Sequence, residues 1–282
     1  MNSNKIILGT AQFGQKYGVT NTNIVTYSEI KKIISTCKKN KIKFIDTAQG
    51  YGNSEKILGS LSLNKIKIIT KIKIGTKTNI EKQINISRKK LRLKKLYCVL
   101  IHNCESLLKK NGHDLFRKLF DLKKRNLISR IGISIYDPKE FIKLKKKGYR
   151  FDIIQIPYSI FDKRFSRNNI LEDMKKTGAE IHARSIFLQG LLLENKKIPI
   201  KFKKWSTVWN KWNSFINKNN YKRSNVCLSF VLANRYIDKI ILGFSSNKEI
   251  KEIFLNFKKI NFKLIDKNFT NDIKLINPNY WK

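Results

Sequence analysis

Eight short β-branched runs, each followed by a stretch of helical periodicity, predict an α/β chain closed into a single (β/α)8 TIM barrel. The alternation never breaks along the chain, and capping residues at several helix starts fix its phase. The expected strands are 5–9, 42–46, 66–71, 96–101, 130–134, 152–156, 180–184 and 238–243. Amphipathic segments follow them at 26–40, 54–62, 79–93, 112–126, 137–147, 168–177, 223–235 and 246–256.

The first strand rests on Ile6-Ile7-Leu8, and the third, fourth and sixth on the apolar runs "IKIIT", "YCVLI" and "FDIIQ". Ser54 before Glu55 is expected to cap the second helix, Asp137-Pro138 the fifth, and Ser246, three residues ahead of Glu249, the last. One connection is longer than the rest. Residues 185–222 join strand seven to its helix and carry Trp205, Trp209 and Trp212, whose i, i+4, i+7 spacing puts three indoles on one face of an extra helix. Packing on the barrel explains that stripe better than a substrate wall does, because aromatic stripes at helical spacing usually belong to cores. The tail from Phe257 to Lys282 has no clear period and is expected to close over the barrel.

With 282 residues, a domain spanning 1–282 fits one barrel, and 41% apolar content supplies a sizeable core. No run of about 18 uncharged apolar residues occurs, so no membrane span is expected. The start, Met1-Asn2-Ser3-Asn4-Lys5, leads directly into a strand too short for a signal-peptide core, which makes a cytoplasmic protein the expectation. Cys37, Cys98, Cys104 and Cys227 form no CxxC pair and no metal-ligand spacing, so they read as reduced thiols and no metal is expected. The formal charge of +40 would ordinarily point to nucleic acid. Here the excess is mostly lysine spread over helix faces, in company with many Ile and Asn residues that share A/T-rich codons. No nucleic-acid partner is expected, since no zinc finger, helix-turn-helix or RNP pattern accompanies the lysine runs.

In a barrel of this kind the chemistry sits at the carboxyl ends of the strands. Strands two to eight end in or just before Asp46, Lys71, His102, Ser134, Gln155, Arg184 and Gly243. Any one of them alone reads as a cap, a turn residue or a satisfied core group. Asp46, Lys71 and His102, however, come from three consecutive strands, and Tyr51 lies in the turn "FIDTAQGYGNSE" that follows the second. A phenol with a pKa near 10 exchanges protons poorly at neutral pH until a cation stabilises its phenolate. Lys71 is the available cation, and a lysine among apolar strands needs a carboxylate, which Asp46 supplies. His102 can hydrogen-bond and orient a carbonyl oxygen. Gly50 and Gly52 would let the turn present the phenol to the cavity.

The ordered set "LGTAQFG" (8–14), "FIDTAQGYGNSE" (44–55), "ITKI" (69–72), "LIHN" (100–103), "IGIS" (131–134), "FDIIQIPYS" (151–159), "GLLL" (190–193) and "ILGFSSNKEIKEI" (241–253) resembles the aldo/keto reductase superfamily over about the whole chain. The variants "GTAQFGQKYGVTN", "DTAQGYG" and "RSIFLQGLL" look most like its compact bacterial branch, some of whose members accompany surface-carbohydrate biosynthesis.

The resemblance implies NAD(P)H-dependent reduction of a small-molecule carbonyl, with Asp46, Tyr51, Lys71 and His102 as the catalytic set and Tyr51 as the acid. It implies that Ser134 and Gln155 hold the nicotinamide carboxamide, with Gly9 and Thr10 beneath the ring beside Asp46. Phosphates would rest on Phe187, Leu188, Gln189 and Gly190, and on Gly243, Phe244, Ser245, Ser246 and Asn247, with Arg184, Ser185 and Glu249 also among the cofactor-binding residues. NADPH is the expected cofactor, with NADH not excluded. The substrate mouth would include Phe13, Tyr17, Asn103, Tyr158 and parts of 191–220.

Three departures stand out. Arg184 replaces the usual aromatic residue under the nicotinamide, and a guanidinium there disfavours the positively charged oxidised ring. The Asn that usually follows the serine of strand five is absent, since Ser134 is followed by Ile135. Glu249 and Ile253 stand where many members carry an arginine for the adenosine 2'-phosphate and an asparagine for the adenine; Glu249 would repel that phosphate unless Lys248 or Ser245 offsets it. The rival readings are a non-catalytic cofactor-sensing or partner-binding barrel of the same superfamily, a basic nucleic-acid binder, and a lyase or isomerase using Lys71 as a Schiff base. The sequence carries no pattern that sets an oligomeric state.

Overall fold

A computed structural model describes residues 2–19, 23–75, 78–194, 198–261 and 268–281. Eight parallel strands close into one barrel in sequence order. They are β1 (Ile6–Gly9), β2 (Phe44–Asp46), β3 (Lys67–Ile72), β4 (Leu96–Ile101), β5 (Ile128–Ser134), β6 (Ile153–Pro157), β7 (Glu180–Arg184) and β8 (Lys239–Gly243). All eight coincide with the expected runs to within two residues at each end. The barrel helices are α1 (Tyr27–Lys39), α2 (Ser54–Gly59), α3 (Ile80–Leu91), α4 (Gly112–Lys124), α5 (Pro138–Lys146), α6 (Ile170–Lys176), α8 (Arg223–Ala233) and α9 (Asn247–Asn256), and α7 (Ser206–Lys218) is the extra helix of the long connection.

Alternation along each strand sorts side chains between two cores. The outward residues Ile6, Leu8, Ile45, Ile68, Val99 and Ile154 join the large apolar cluster beneath the helices. Ile7, Ile69, Cys98, Leu100 and Ile153 form a small cluster of their own inside the barrel. Two residues further along, on the same inward face, stand Gly9, Lys71 and Gln155, and Asp46 is paired in register with Gly9. The period of two thus brings the polar strand ends to one rim. The opposite rim is closed. Arg130 pairs there with Glu180, the Tyr97 hydroxyl accepts from the Arg130 guanidinium at 3.0 Å, and Lys239 lies 4.6 Å over the Phe44 ring.

The expected caps hold at α5 and α9. Asp137 and Glu140 form a full capping box around Pro138, and Ser246 accepts from the Glu249 amide at 3.2 Å. Ser54 behaves differently. It is the first residue of α2 rather than its cap, and its fully buried hydroxyl donates to Thr10 instead. A short-range pattern for a cap does not distinguish a hydroxyl needed by the next turn from one needed by a distant strand.

A second core lies outside the barrel on the side of the long connection. Trp209 and Trp212 of α7 pack with Phe161, Phe202 and Phe215, and Phe269, Leu275 and Ile276 of the tail complete the cluster. The indoles therefore pack rather than face a ligand. The described part of the tail seats on this cap, and Trp205 anchors it by donating to Asp272 at 2.7 Å; residues 262–267 of the expected closing segment lie outside the described residues. All four cysteines are buried free thiols, and among the described residues no helix is long and apolar enough to cross a membrane.

Trp212 is 1% exposed and sits edge-on to both Phe161 and Phe269. Trp212→Ala should lower unfolding free energy by about 3–5 kcal/mol in denaturant titration, because a large aromatic cavity opens in a closed cluster. Trp205→Ala, which removes mainly a rim hydrogen bond, should cost about 1 kcal/mol.

Candidate active site

Lys71, on β3, is 1% exposed, and its ammonium is held entirely by neighbours from β2 and the turn after it. Nζ lies 2.5 and 2.7 Å from the two Asp46 oxygens, 3.1 Å from the Thr47 carbonyl and 3.2 Å from the Tyr51 hydroxyl. A buried charge of this kind survives only where a counter-ion and hydrogen bonds replace its hydration. Asp46 is held in turn. Gln155, across the barrel on β6, donates from Nε2 to its second oxygen at 3.1 Å, and Ser134 Oγ stands 3.5 Å from the Gln155 amide oxygen.

The turn that carries Tyr51 is fixed by backbone. Thr47 and Gln49 donate to the Ile69 and Lys71 carbonyls, so the chain leaving β2 continues to follow β3. Gly52 then adopts φ +54 and passes directly over Gly14, where a Cβ on either glycine would overlap the other segment's backbone. That crossing fixes where Tyr51 stands. Gly50, expected to serve the same purpose, has no such constraint; a Cβ there would meet only His102 Cε1, at 4.0 Å. Gly14 is the residue the sequence did not single out.

His102 follows β4 at the same rim, edge-on to Tyr51 with ring centroids 6.2 Å apart. Burial, reinforced by the charges of Lys71 and Arg184, pushes its imidazole down to about 3, so it is neutral near pH 7. Its Nδ1 is buried with no partner among the described residues. A neutral ring with a free nitrogen is suited to an incoming oxygen. The Tyr51 phenol is pushed well above its ordinary value, first by burial and then by the Asp46 carboxylate, with Arg184 opposing. This direction is the reverse of the expected tuning by Lys71, because Asp46 matches the lysine's charge at closer range. The resting phenol keeps its proton.

From this cluster a groove of about 990 Å3, counted to its open side, runs to the first turn of α9. Gly9 and Gly243, paired across β1 and β8, form a floor without side chains. A Cβ on Gly243 would stand 2.5 Å from the Gln12 amide, and one on Gly9 2.9 Å from Ile241, so a side chain at either position would have to displace that neighbour. One wall is the loop after β7, where Ser185, Leu188 and Gln189 all have positive φ. Non-glycine residues hold such conformations at a cost of about 1–3 kcal/mol each where the surroundings fix them, most often beside a ligand. Arg184 begins that wall, stacked at 4.0 Å on the Tyr136 ring and bonded to the Ile135 carbonyl at 3.2 Å.

The family model described as Aldo/keto reductase family matches residues 5–277. The chain belongs to the aldo/keto reductase family. It is an oxidoreductase acting on carbonyl and CH–OH groups, and the family works with nicotinamide cofactors. A glycerol dehydrogenase from Gluconobacter oxydans has a similar fold, with TM-score 0.69 and 20% identity over 93% of this chain and 92% of its own. So does an aldo-keto reductase from Bacillus halodurans in its holo form, with TM-score 0.69 and 16% identity over 91% and 88% of the two chains. No curated protein sequence matches this one.

Within the aldo/keto reductase groove lie Gly9, Thr10, Asp46, Gln155, Arg184 and Ser185, and further out Phe187, Gln189, Gly190, Gly243, Ser245 and Glu249. Other expected positions do not line it. The Leu188 and Phe244 side chains are buried in the two cores, which leaves only their backbone to serve. Ser134 is buried behind Gln155, and Ser246 is occupied in capping α9. Asn247 is turned toward α1, where its side chain accepts from Thr36 at 2.6 Å. At the expected substrate mouth, Tyr17 lines the groove and Asn103 keeps a buried, unpartnered Oδ1. Phe13 is fully buried in the main core, and Tyr158 is buried with its hydroxyl bonded to Ser166 and Asn234, both at 2.9 Å. Neither borders the cavity; residue type gave no sign of which side they face. Gln12 and Tyr136 were missed: Gln12 lies inside the quoted run "LGTAQFG" without being picked out of it, and Tyr136 follows "IGIS" with no motif to mark it.

Gly14→Ala should lower thermal stability by the equivalent of about 1–3 kcal/mol and displace Tyr51, while Gly50→Ala, measured in the same melts, should be nearly neutral. The His102 imidazole should stay neutral in NMR titration down to about pH 4. Its folded value lies below the unfolded one near 6.5, so the unfolded chain takes up the proton first. Stability from this group is therefore complete above about pH 6.5 and falls by at most about 1.4 kcal/mol per unit on acidification toward pH 3.

Proposed function

We propose that the chain reduces the carbonyl of an aldehyde, ketone or keto-sugar to an alcohol, with Tyr51 as proton donor. The observation that carries this reading is the Lys71 ammonium bridging Asp46 and Tyr51 beside an imidazole nitrogen with no partner. A cofactor-sensing barrel has no need to keep all four groups in contact.

The groove residues fit an elongated dinucleotide: a glycine floor, a wall in left-handed conformation, and a catalytic cluster at one end. When bound there, a reduced nicotinamide supplies the hydride that the carbonyl carbon takes up. The carbonyl oxygen would sit between the Tyr51 hydroxyl and the His102 ring, where the neutral imidazole orients it. Tyr51 donates its proton as negative charge builds on that oxygen, so hydride and proton together complete the two-electron reduction. The phenolate left behind faces Lys71 at 3.2 Å, and a proton arriving through Lys71 or from solvent restores the phenol. Asp46 keeps the ammonium in place throughout.

Gln155 would hold the carboxamide with the amide proton that it does not spend on Asp46, and Ser134, buried behind it, would act only through Gln155. Arg184 supports reduction over the reverse reaction. Its guanidinium is tethered on one side to Ile135 and stacked on the other to Tyr136, so it cannot swing away from a cationic oxidised ring.

Tyr51→Phe should cut carbonyl reduction by about 10²–10⁴-fold in a panel of keto-sugars, nucleotide-linked keto-sugars and simple aldehydes, with cofactor Kd nearly unchanged. Lys71→Met should be at least as damaging, because it also leaves Asp46 buried without its counter-ion. Full turnover in Tyr51→Phe would remove the assigned acid.

A further inference from the structure

The far end of the groove carries acid where a phosphate would need amide donors. Groove residues Ser245 and Glu249 meet at the first turn of α9, and three of the backbone N–H groups there already have acceptors. Ser245 N–H donates to Glu249 Oε2 at 2.7 Å, Glu249 N–H to Ser246 Oγ at 3.2 Å, and Asn247 N–H to Glu29 Oε1 at 2.5 Å. A helix start normally attracts an anion through such amides. Here the chain supplies the anions itself, as two carboxylates from Glu249 and Glu29.

Neither of the two candidate offsets for a phosphate serves among the described residues. Ser245, the first candidate, has given its amide to Glu249. Lys248, the second, lines a separate surface cleft together with Glu29, Lys32 and Glu252. Among the described residues lining the groove, Arg184 is the only lysine or arginine, and it belongs to the catalytic end. Glu249 therefore borders the groove with no lysine or arginine beside it among the described residues that line that end.

We propose that Glu249 makes this end of the groove a receptor for an unphosphorylated ribose diol, so that the chain binds NADH in preference to NADPH. A carboxylate accepts hydrogen bonds from the two hydroxyls of the adenosine ribose, whereas a 2'-phosphate brought to the same place meets like charge where the Ser245, Asn247 and Glu249 amides already have acceptors. This reverses the cofactor expected from the resemblance, and it rests on the groove being the dinucleotide site of the proposed reductase.

Binding, rather than turnover, tests it. NADH and NADPH titrations of the purified chain, followed by calorimetry and by quenching of tryptophan emission, should give a Kd at least about tenfold lower for NADH at low ionic strength. The gap should narrow as salt screens the repulsion. Glu249→Gln keeps the size of the side chain and should close the gap about tenfold, mainly by tightening NADPH. Equal or tighter binding of NADPH by the native chain overturns the proposal, and this reading does not depend on the variant folding. An NADH preference that persists unchanged in a Glu249→Gln protein with native circular dichroism also overturns it. Failure of both nucleotides to bind removes the dinucleotide site itself, and with it the reductase reading, which separates the two failures.

Discussion

The buried pair of Lys71 and Asp46 sets the terms for everything around it. Two charges at 1% and 4% side-chain exposure lose most of their hydration, and removing one partner of such a pair typically costs about 3–5 kcal/mol. The fold answers that cost with further bonds: the Thr47 carbonyl and Tyr51 hydroxyl on the ammonium, and the Gln155 amide on the carboxylate. A phenol is thereby drawn into the rim as a ligand of the lysine. The same satisfaction keeps the pair electrically quiet, which is why burial and not Lys71 governs the Tyr51 proton at rest.

Much of this was legible from sequence because it depends on local periodicity. Strands of period two followed by helices of period 3.6 define the barrel, and the residue at each strand's carboxyl end follows from the same count. Asp46, Lys71 and His102 could be placed at one rim without coordinates for that reason. What stayed hidden was contact between distant segments. Gln155 reaches Asp46 over a sequence separation of 109, and Ser54 looks like a cap until Thr10 is seen beside it. Gly14 reads as one glycine among several until Gly52 crosses it. Phe13 and Tyr158 show the complementary difficulty, since an aromatic residue near a strand end looks alike whether it faces the cavity or the core.

The formal charge of +40 has its place outside the chemistry. Among the described residues the groove is lined by one arginine and two acids, Asp46 and Glu249, and by no lysine. Inside the barrel the ionised groups are paired, as with Arg130 and Glu180 at the closed rim. Surface charge and site charge have thus been set independently in this chain.

The aromatic cap of α7 and the tail has an interior of its own, joined to the cylinder through the loops after β6 and β7 and through Val226 and Cys227 of α8. A body packed about its own cluster can be reshaped at its surface with little change to the barrel's inner core. Variation in substrate range among chains of this design should accordingly accumulate in the cap's sequence, while the reactive rim beneath keeps its residues.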